Sequence, residues 1–226
     1  MADQNEQVFL KMDNWVEILN EQILTLNLQR TIFKEVQDII KANPLIEPSH
    51  FFYYLSNWYS TSMSIAVRRL TDNDKKSISY LRLLECIKNN PQAVSRSRYL
   101  SKHTSLQLSL ARANQFFDTI AGVGNKYLDL SIIQVEIDEL VTETSKLKVY
   151  VDKKIAHDDS SAPPPIPKFD DLDKAIDHLG TLHEKYFSIF RLETPSDISI
   201  LYDWIAIFRR PWIPEPRRFS AIEKHD

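Results

Sequence analysis

FLKMDNWVEILNEQILTLNLQRTIF, running from Phe9 to Phe33, decides the fold. Its apolar residues fall at Phe9, Met12, Val16, Leu19, Ile23, Leu26 and Phe33. Steps of three and four keep them on one side of an α-helix, which turns by ~100° per residue. Such a seam suits a long helix packed in a bundle, or a coiled coil. Arg30 interrupts it, so the bundle reading is the simpler one. Asn43-Pro44 ends the helix, because the residue before a proline is pushed out of the α region.

The same periodicity continues outward along the chain. Pro48-Ser49 opens a second helix with Phe52, Leu55, Tyr59, Met63, Ala66 and Leu70 as its buried stripe. Tyr54, Asn57, Thr61, Ser64 and Arg68 form another face, with small polar residues that would let a further helix approach. Ser77 to Asn89 predicts a third helix, stopped by Asn89-Asn90-Pro91. A fourth spans Ser95 to Ala121, with Tyr99, Leu106, Leu110, Ala113, Phe117 and Ile120 inward and His103 on the same stripe. A fifth starts at a capping box of Ser131 with Gln134 and buries Ile133, Ile137, Leu140, Thr144, Leu147, Val151 and Ile155. Residues 158–170 are a proline-rich connection. Asp170 or Asp171 then caps a sixth helix, with Leu172, Ile176, Leu179, Leu182, Tyr186 and Ile189 inward.

No alternation long enough for a sheet is present. The reading is an all-α bundle of five to seven helices: an N-terminal helix over 1–43, a helical domain over 44–192 and a C-terminal strap over 193–226. The strap holds Trp204 and Trp212 among the prolines at 211, 214 and 216. Proline forbids a continuous helix there, so a non-helical strap anchored by its tryptophans is expected. The competing reading uses Arg209, Arg210, Arg217 and Arg218 as phosphate contacts beside aromatic surfaces.

Composition removes several function classes. Lys and Arg number 28 against 31 Asp and Glu, so no global basic field attracts nucleic acid. The chain has three glycines, too few for a glycine-rich phosphate loop, and Gly122-Val123-Gly124 has the wrong spacing. Cys86 is the single cysteine, so neither an internal disulfide nor a cysteine zinc site forms. His50, His103, His157, His178 and His183 lack the spacing of a histidine metal site. No metal or other cofactor is expected. With no visible signal peptide and no apolar run of spanning length, the expected location is cytoplasmic, without membrane contact.

The stretch Lys153 to Asp159, KKIAHDD, carries the chemistry. Counting α-helical turns from the fifth stripe, His157 points away from the core and shares a face with Lys146, Tyr150 and Lys153. Two readings stand there: a charged helix end, or a site that binds phosphate and moves protons near neutral pH.

Asp152-Lys153-Lys154-Ile155-Ala156-His157-Asp158, at the end of the penultimate long helix, resembles the HEPN superfamily (higher eukaryotes and prokaryotes nucleotide-binding domain). Further segments look like its abortive-infection AbiU-type branch. They are Ala66 to Asp72, Ser77-Ile78-Ser79 with Leu81-Arg82-Leu83-Leu84, Ser95-Arg96 with Arg98-Tyr99, and Tyr202-Asp203-Trp204 through Pro211 to Glu215. The resemblance covers roughly Pro44 to Glu215. It implies an all-α fold that often forms a homodimer, with two histidine motifs facing across a cleft that in active members cleaves RNA without a metal. It also implies phage-defence or toxin-type roles, with a cognate antitoxin or defence partner, or a non-catalytic nucleotide- or protein-binding module.

The family motif is an arginine, four to six residues, then a histidine. His157 matches the histidine, and Asp152 the Asn or Asp that accompanies the arginine. The arginine position falls on Tyr150, Val151 or Asp152, and none is arginine. The cation must therefore come from Lys153, or from Arg68 or Arg69 of the second helix. The site set is His157, Asp152 and Lys153 for catalysis, with Arg68, Arg69, Tyr150 and Lys146 for RNA or phosphate.

Overall fold

The computed structural model describes residues 2–43, 50–105, 109–155, 166–192 and 203–210. The chain divides into two units, Met1–Ser196 and Asp197–Asp226. Among the described residues the first unit has seven α-helices: α1 (Ala2–Ala42), α2 (His50–Leu70), α3 (Tyr80–Asn89), α4 (Arg96–Ser105), α5 (Leu110–Ala121), α6 (Leu130–Tyr150) and α7 (Phe169–Arg191). Among the described residues there is no strand, only an isolated antiparallel bridge between Ser95 and Tyr127. No helix among them is long and apolar enough to cross a membrane.

α1 and α7 form the spine and pack chiefly on each other. Every residue of the Phe9-to-Phe33 seam is buried, as is the whole α7 stripe from Leu172 to Ile189. Arg30 breaks the seam for a reason: its Nη1 lies 2.5 Å from Asp177 on α7, and Lys34 pairs with Asp173 at 2.9 Å. The charges thus continue the α1–α7 contact where the apolar stripe pauses. α6 packs on α7, α3 and α2 and buries Ile133, Leu140, Thr144 and Leu147; Val151 just beyond it is buried too, whereas Ile137 and Ile155 of the expected stripe are only half-buried.

Five local expectations are corrected. α7 begins at Phe169 after Lys168, not at an Asp170 or Asp171 cap; Asp171 lies inside the first turn, where its carboxylate accepts from the Lys168 N–H at 2.9 Å. The single fourth helix is two, α4 and α5. The Ser109 hydroxyl accepts from the Arg112 N–H and starts α5 afresh, which leaves Leu110 exposed rather than inward. α6 is capped by Asp129, whose carboxylate accepts from the Ser131 N–H at 2.8 Å; Gln134 instead donates to Asp138. An aspartate one residue before the helix outcompetes the hydroxyl of Ser131, which itself bonds Asp129. α3 starts at Tyr80, because Ser79 serves as its cap. In the second unit, Trp204–Arg209 winds into a 3₁₀ helix before the first proline at 211. Trp204 there meets Phe208 edge-on at 6.0 Å, and Arg209 bonds Asp203 at 2.9 Å. Trp212, Arg217 and Arg218 lie outside the described residues.

Two hydrogen-bonded networks brace the core among the described residues. His183 on α7 is 2% exposed; its Nδ1 meets the Tyr80 hydroxyl at 2.5 Å and its Nε2 the Asn20 side chain at 2.9 Å. Tyr186 donates to Glu136 at 2.5 Å, and Lys185 pairs with the same carboxylate. These bonds tie α1, α3, α6 and α7 together and satisfy polar atoms that would otherwise be costly to bury.

Candidate functional site

α6 does not end as an ordinary helix. It runs on into a π-helical turn, Val151–Ile155, where the Val151 N–H is shared between the carbonyls of Leu147 and Lys148. Single π turns are rare and recur at functional sites. The turn departs from α-helical geometry over residues 151–155. His157 itself lies outside the described residues.

This π turn meets the end of α2. The Arg68 Nε donates to Asp152 Oδ1 at 3.0 Å, and Arg68 Nη1 lies 3.1 Å from Asp72 Oδ1. Lys148 holds the other oxygen of Asp152 at 2.6 Å. Asp72 is itself fixed, accepting from the Ser77 hydroxyl at 2.7 Å. The α2–α3 connection therefore holds the guanidinium in place from one side and the π turn from the other. The result is a four-membered cluster of Arg68, Asp72, Lys148 and Asp152, each about a fifth to a half exposed.

The electrostatics follow from those contacts. The Lys148 ammonium, and after it the Arg68 guanidinium, hold the Asp152 carboxyl below its ordinary value despite partial burial. The hydrogen bond to Asp152 raises the Arg68 pKa further. Burial pushes the Asp72 carboxyl up, but the Ser77 hydroxyl and Arg68 outweigh it and its pKa is lowered. At neutral pH the cluster is two fixed cations and two fixed carboxylates. Asp152 can therefore orient a guanidinium and accept hydrogen bonds, but it does not supply a proton there.

The other predicted residues fall into separate places. Arg69 is exposed and turns to a different groove, a cavity of about 410 Å³ between α1 and α2 lined with Glu21, Gln22 and Thr25. One residue of helix separates it from Arg68 by ~100°, which is enough to divide the pair. Lys153 is exposed on the π turn. Lys146 is engaged with Asp171 at 2.7 Å, linking α6 to the first turn of α7, and this partner raises its pKa. Tyr150 is half-buried and lines a cavity of about 460 Å³ where α2, α6 and the start of α7 meet.

Sequence reasoning missed Asp72 and Lys148. Both were legible as opposite charges four residues apart at a helix end, Arg68 with Asp72 and Lys148 with Asp152. Other segments of the family resemblance are structural here. Arg96 bonds Asp118 at 2.5 Å and the Asn125 carbonyl at 2.7 Å, clamping the turn in which Gly122 and Gly124 take positive φ. Arg98 pairs with Glu6 and lies over Phe9. His103 sits half-buried, edge-on to Tyr99 at 4.6 Å, with its pKa lowered by burial. No family model, curated protein or solved structure matches the chain.

Proposed function

We propose that this chain is a HEPN-like, AbiU-type effector that acts on RNA in phage defence or as a toxin, without a metal. The observation that carries the reading is the 3.0 Å bond from Arg68 to Asp152. It brings a guanidinium from α2 to the turn that leads into His157, where the histidine motif itself has no arginine. In this arrangement one histidine takes the proton of a ribose 2′-hydroxyl and the O2′ attacks the adjacent phosphorus. The 5′-oxygen leaves with a proton from a second acid, giving a cyclic phosphate end and a hydroxyl end. Two copies facing each other would supply the base and the acid as two histidines. Arg68, aligned by Asp152 and Asp72, stabilises the charge that builds on the phosphorane oxygens. Two of its five donors are used by those carboxylates.

A second reading has its own support. Arg68 is already balanced by two carboxylates, and the cluster as a whole is neutral. A site of that kind also suits a non-catalytic module that binds a nucleotide or a partner protein such as an antitoxin.

Labelled total RNA incubated with purified protein in EDTA separates the two. In the effector reading, His157→Ala and Arg68→Ala each lower cleavage by ~10²-fold with the melting temperature kept. Arg69→Ala, in its separate groove, leaves cleavage unchanged. Equal cleavage by wild type and His157→Ala rejects the catalytic reading.

A further inference from the structure

The cavity between α2, α6 and the start of α7 is built on the same two helices, α2 and α6, that reach the Arg68 cluster, and has no role in the chemistry above. Its volume of about 460 Å³ lies within the range of small-molecule sites, ~300–1,000 Å³. Three aromatic rings line it, Tyr53, Tyr150 and Phe169, together with Asn57, Ser60 and Ser64. Phe169 is held from behind by Phe33 and Tyr59, at centroid distances of 5.8 and 6.1 Å. Tyr53 stands at the rim, 67% exposed, and meets Tyr54 edge-on at 5.7 Å.

The lining selects for a particular shape. Aromatic walls favour a flat ring, while the Asn57 amide and the Ser60 oxygen, as an acceptor, offer hydrogen bonds to its edge. A docked apolar helix would cover the exposed Asn57 amide without giving it a partner; the Ser60 hydroxyl already donates to the Asn57 carbonyl at 3.0 Å. The position adds a second constraint. Ser64, at one end of the cavity, precedes Arg68 by four residues on α2, so their Cα atoms lie about one turn, ~6 Å, apart on the same side of the helix. Tyr150 likewise lies two residues before Asp152. A flat ring in the pocket and an anion at Arg68 would be joined by a short linker, as a base is joined to its phosphate by one sugar.

We propose that this cavity receives the unpaired base of the nucleotide whose phosphate is held at Arg68. The inference rests on the RNA-directed reading and assigns the pocket that would choose the nucleotide. Recognition follows the usual rule for single strands, with the base stacked on aromatic rings and its edge read by hydrogen bonds.

The test titrates wild-type protein with each of the four ribonucleoside monophosphates, and with ribose 5-phosphate as a ligand that has the phosphate but no base. At least one monophosphate is expected to bind tenfold or more tightly than ribose 5-phosphate, the scale of one stacked base. Tyr53→Ala, which removes an exposed ring, and Ser60→Leu, which fills the cavity, both erase that margin without shifting the melting curve. Arg68→Ala weakens all the ligands and leaves the margin in place. Equal binding of monophosphates and ribose 5-phosphate, no binding of any monophosphate, or a margin that survives both pocket variants overturns the inference. A parallel RNA-cleavage assay keeps the two ideas apart. Cleavage without a base margin rejects the pocket alone, and a base margin without RNA binding or cleavage rejects the effector reading alone.

Discussion

The core around His183 and the cluster around Arg68 use similar parts to opposite ends. His183 has both ring nitrogens satisfied, is 2% exposed, and is enclosed by α1, α3 and α7. Arg68 is also multiply bonded, yet it sits about a third exposed at a π turn, one helical turn from Ser64, which lines an open cavity. The first arrangement has no room for a ligand, so its polar bonds serve the fold. The second holds a cation in a defined direction while leaving it within reach of solvent. A histidine or an arginine in a sequence says little by itself; the access left around its bonds decides its role.

The sharpest way to break this contrast is at His183. His183→Ala opens a cavity and strands the Tyr80 hydroxyl and the Asn20 side chain. The expected loss is about 3 kcal/mol or more of unfolding free energy, read from a urea titration. An unchanged midpoint would mean that the buried network is not a brace.

Acid should reach the core before it reaches the cluster. Burial lowers the His183 pKa from 6.5 to about 4, so the folded state holds the ring neutral. The unfolded chain binds a proton at its ordinary pKa while the folded chain does not. Stability from this group is therefore complete above pH 6.5 and falls as the pH drops from 6.5 to 4. The whole loss is on the order of 3 kcal/mol. Asp72 and Asp152 have lowered pKa values, so their contribution persists to lower pH and is lost only below the ordinary carboxylate range. His183→Gln should flatten the stability profile between pH 6.5 and 4. A profile of unchanged slope would place the titration elsewhere.

The same contrast explains what could be read in advance. The α1 and α7 stripes were legible because long helices buried along their whole length impose the three-four spacing without a break. The split between α4 and α5 was not. Apolar spacing continues through Leu106 and Leu110, and no proline or glycine lies between Ser105 and Ser109. The π turn has no local signature, because it shifts hydrogen-bond partners without demanding a special residue. The pairing of Arg68 with Asp152 spans 84 positions and depends on how α2 packs against α6. The sequence nominated Arg68 and Asp152 separately; only packing joins one and sets Arg69 apart in another groove.

The smallest expected effect is the most discriminating one for the cluster. Arg68 and Asp152 have side-chain exposures of 29% and 35%, and water screens pairs of that kind. Exposed ion pairs typically stabilise a fold by ~0–1 kcal/mol. Arg68→Ala should therefore lower the unfolding free energy by under about 1 kcal/mol, with a similar value for Asp152→Ala. A double-mutant cycle between them should return a coupling of about 0.5 kcal/mol that shrinks as salt is raised. Such a result leaves the alignment of the guanidinium with little role in folding, as a site requires. If Arg68→Ala instead costs as much as His183→Ala, the cluster is a second structural brace, and the distinction between the closed and the open network fails.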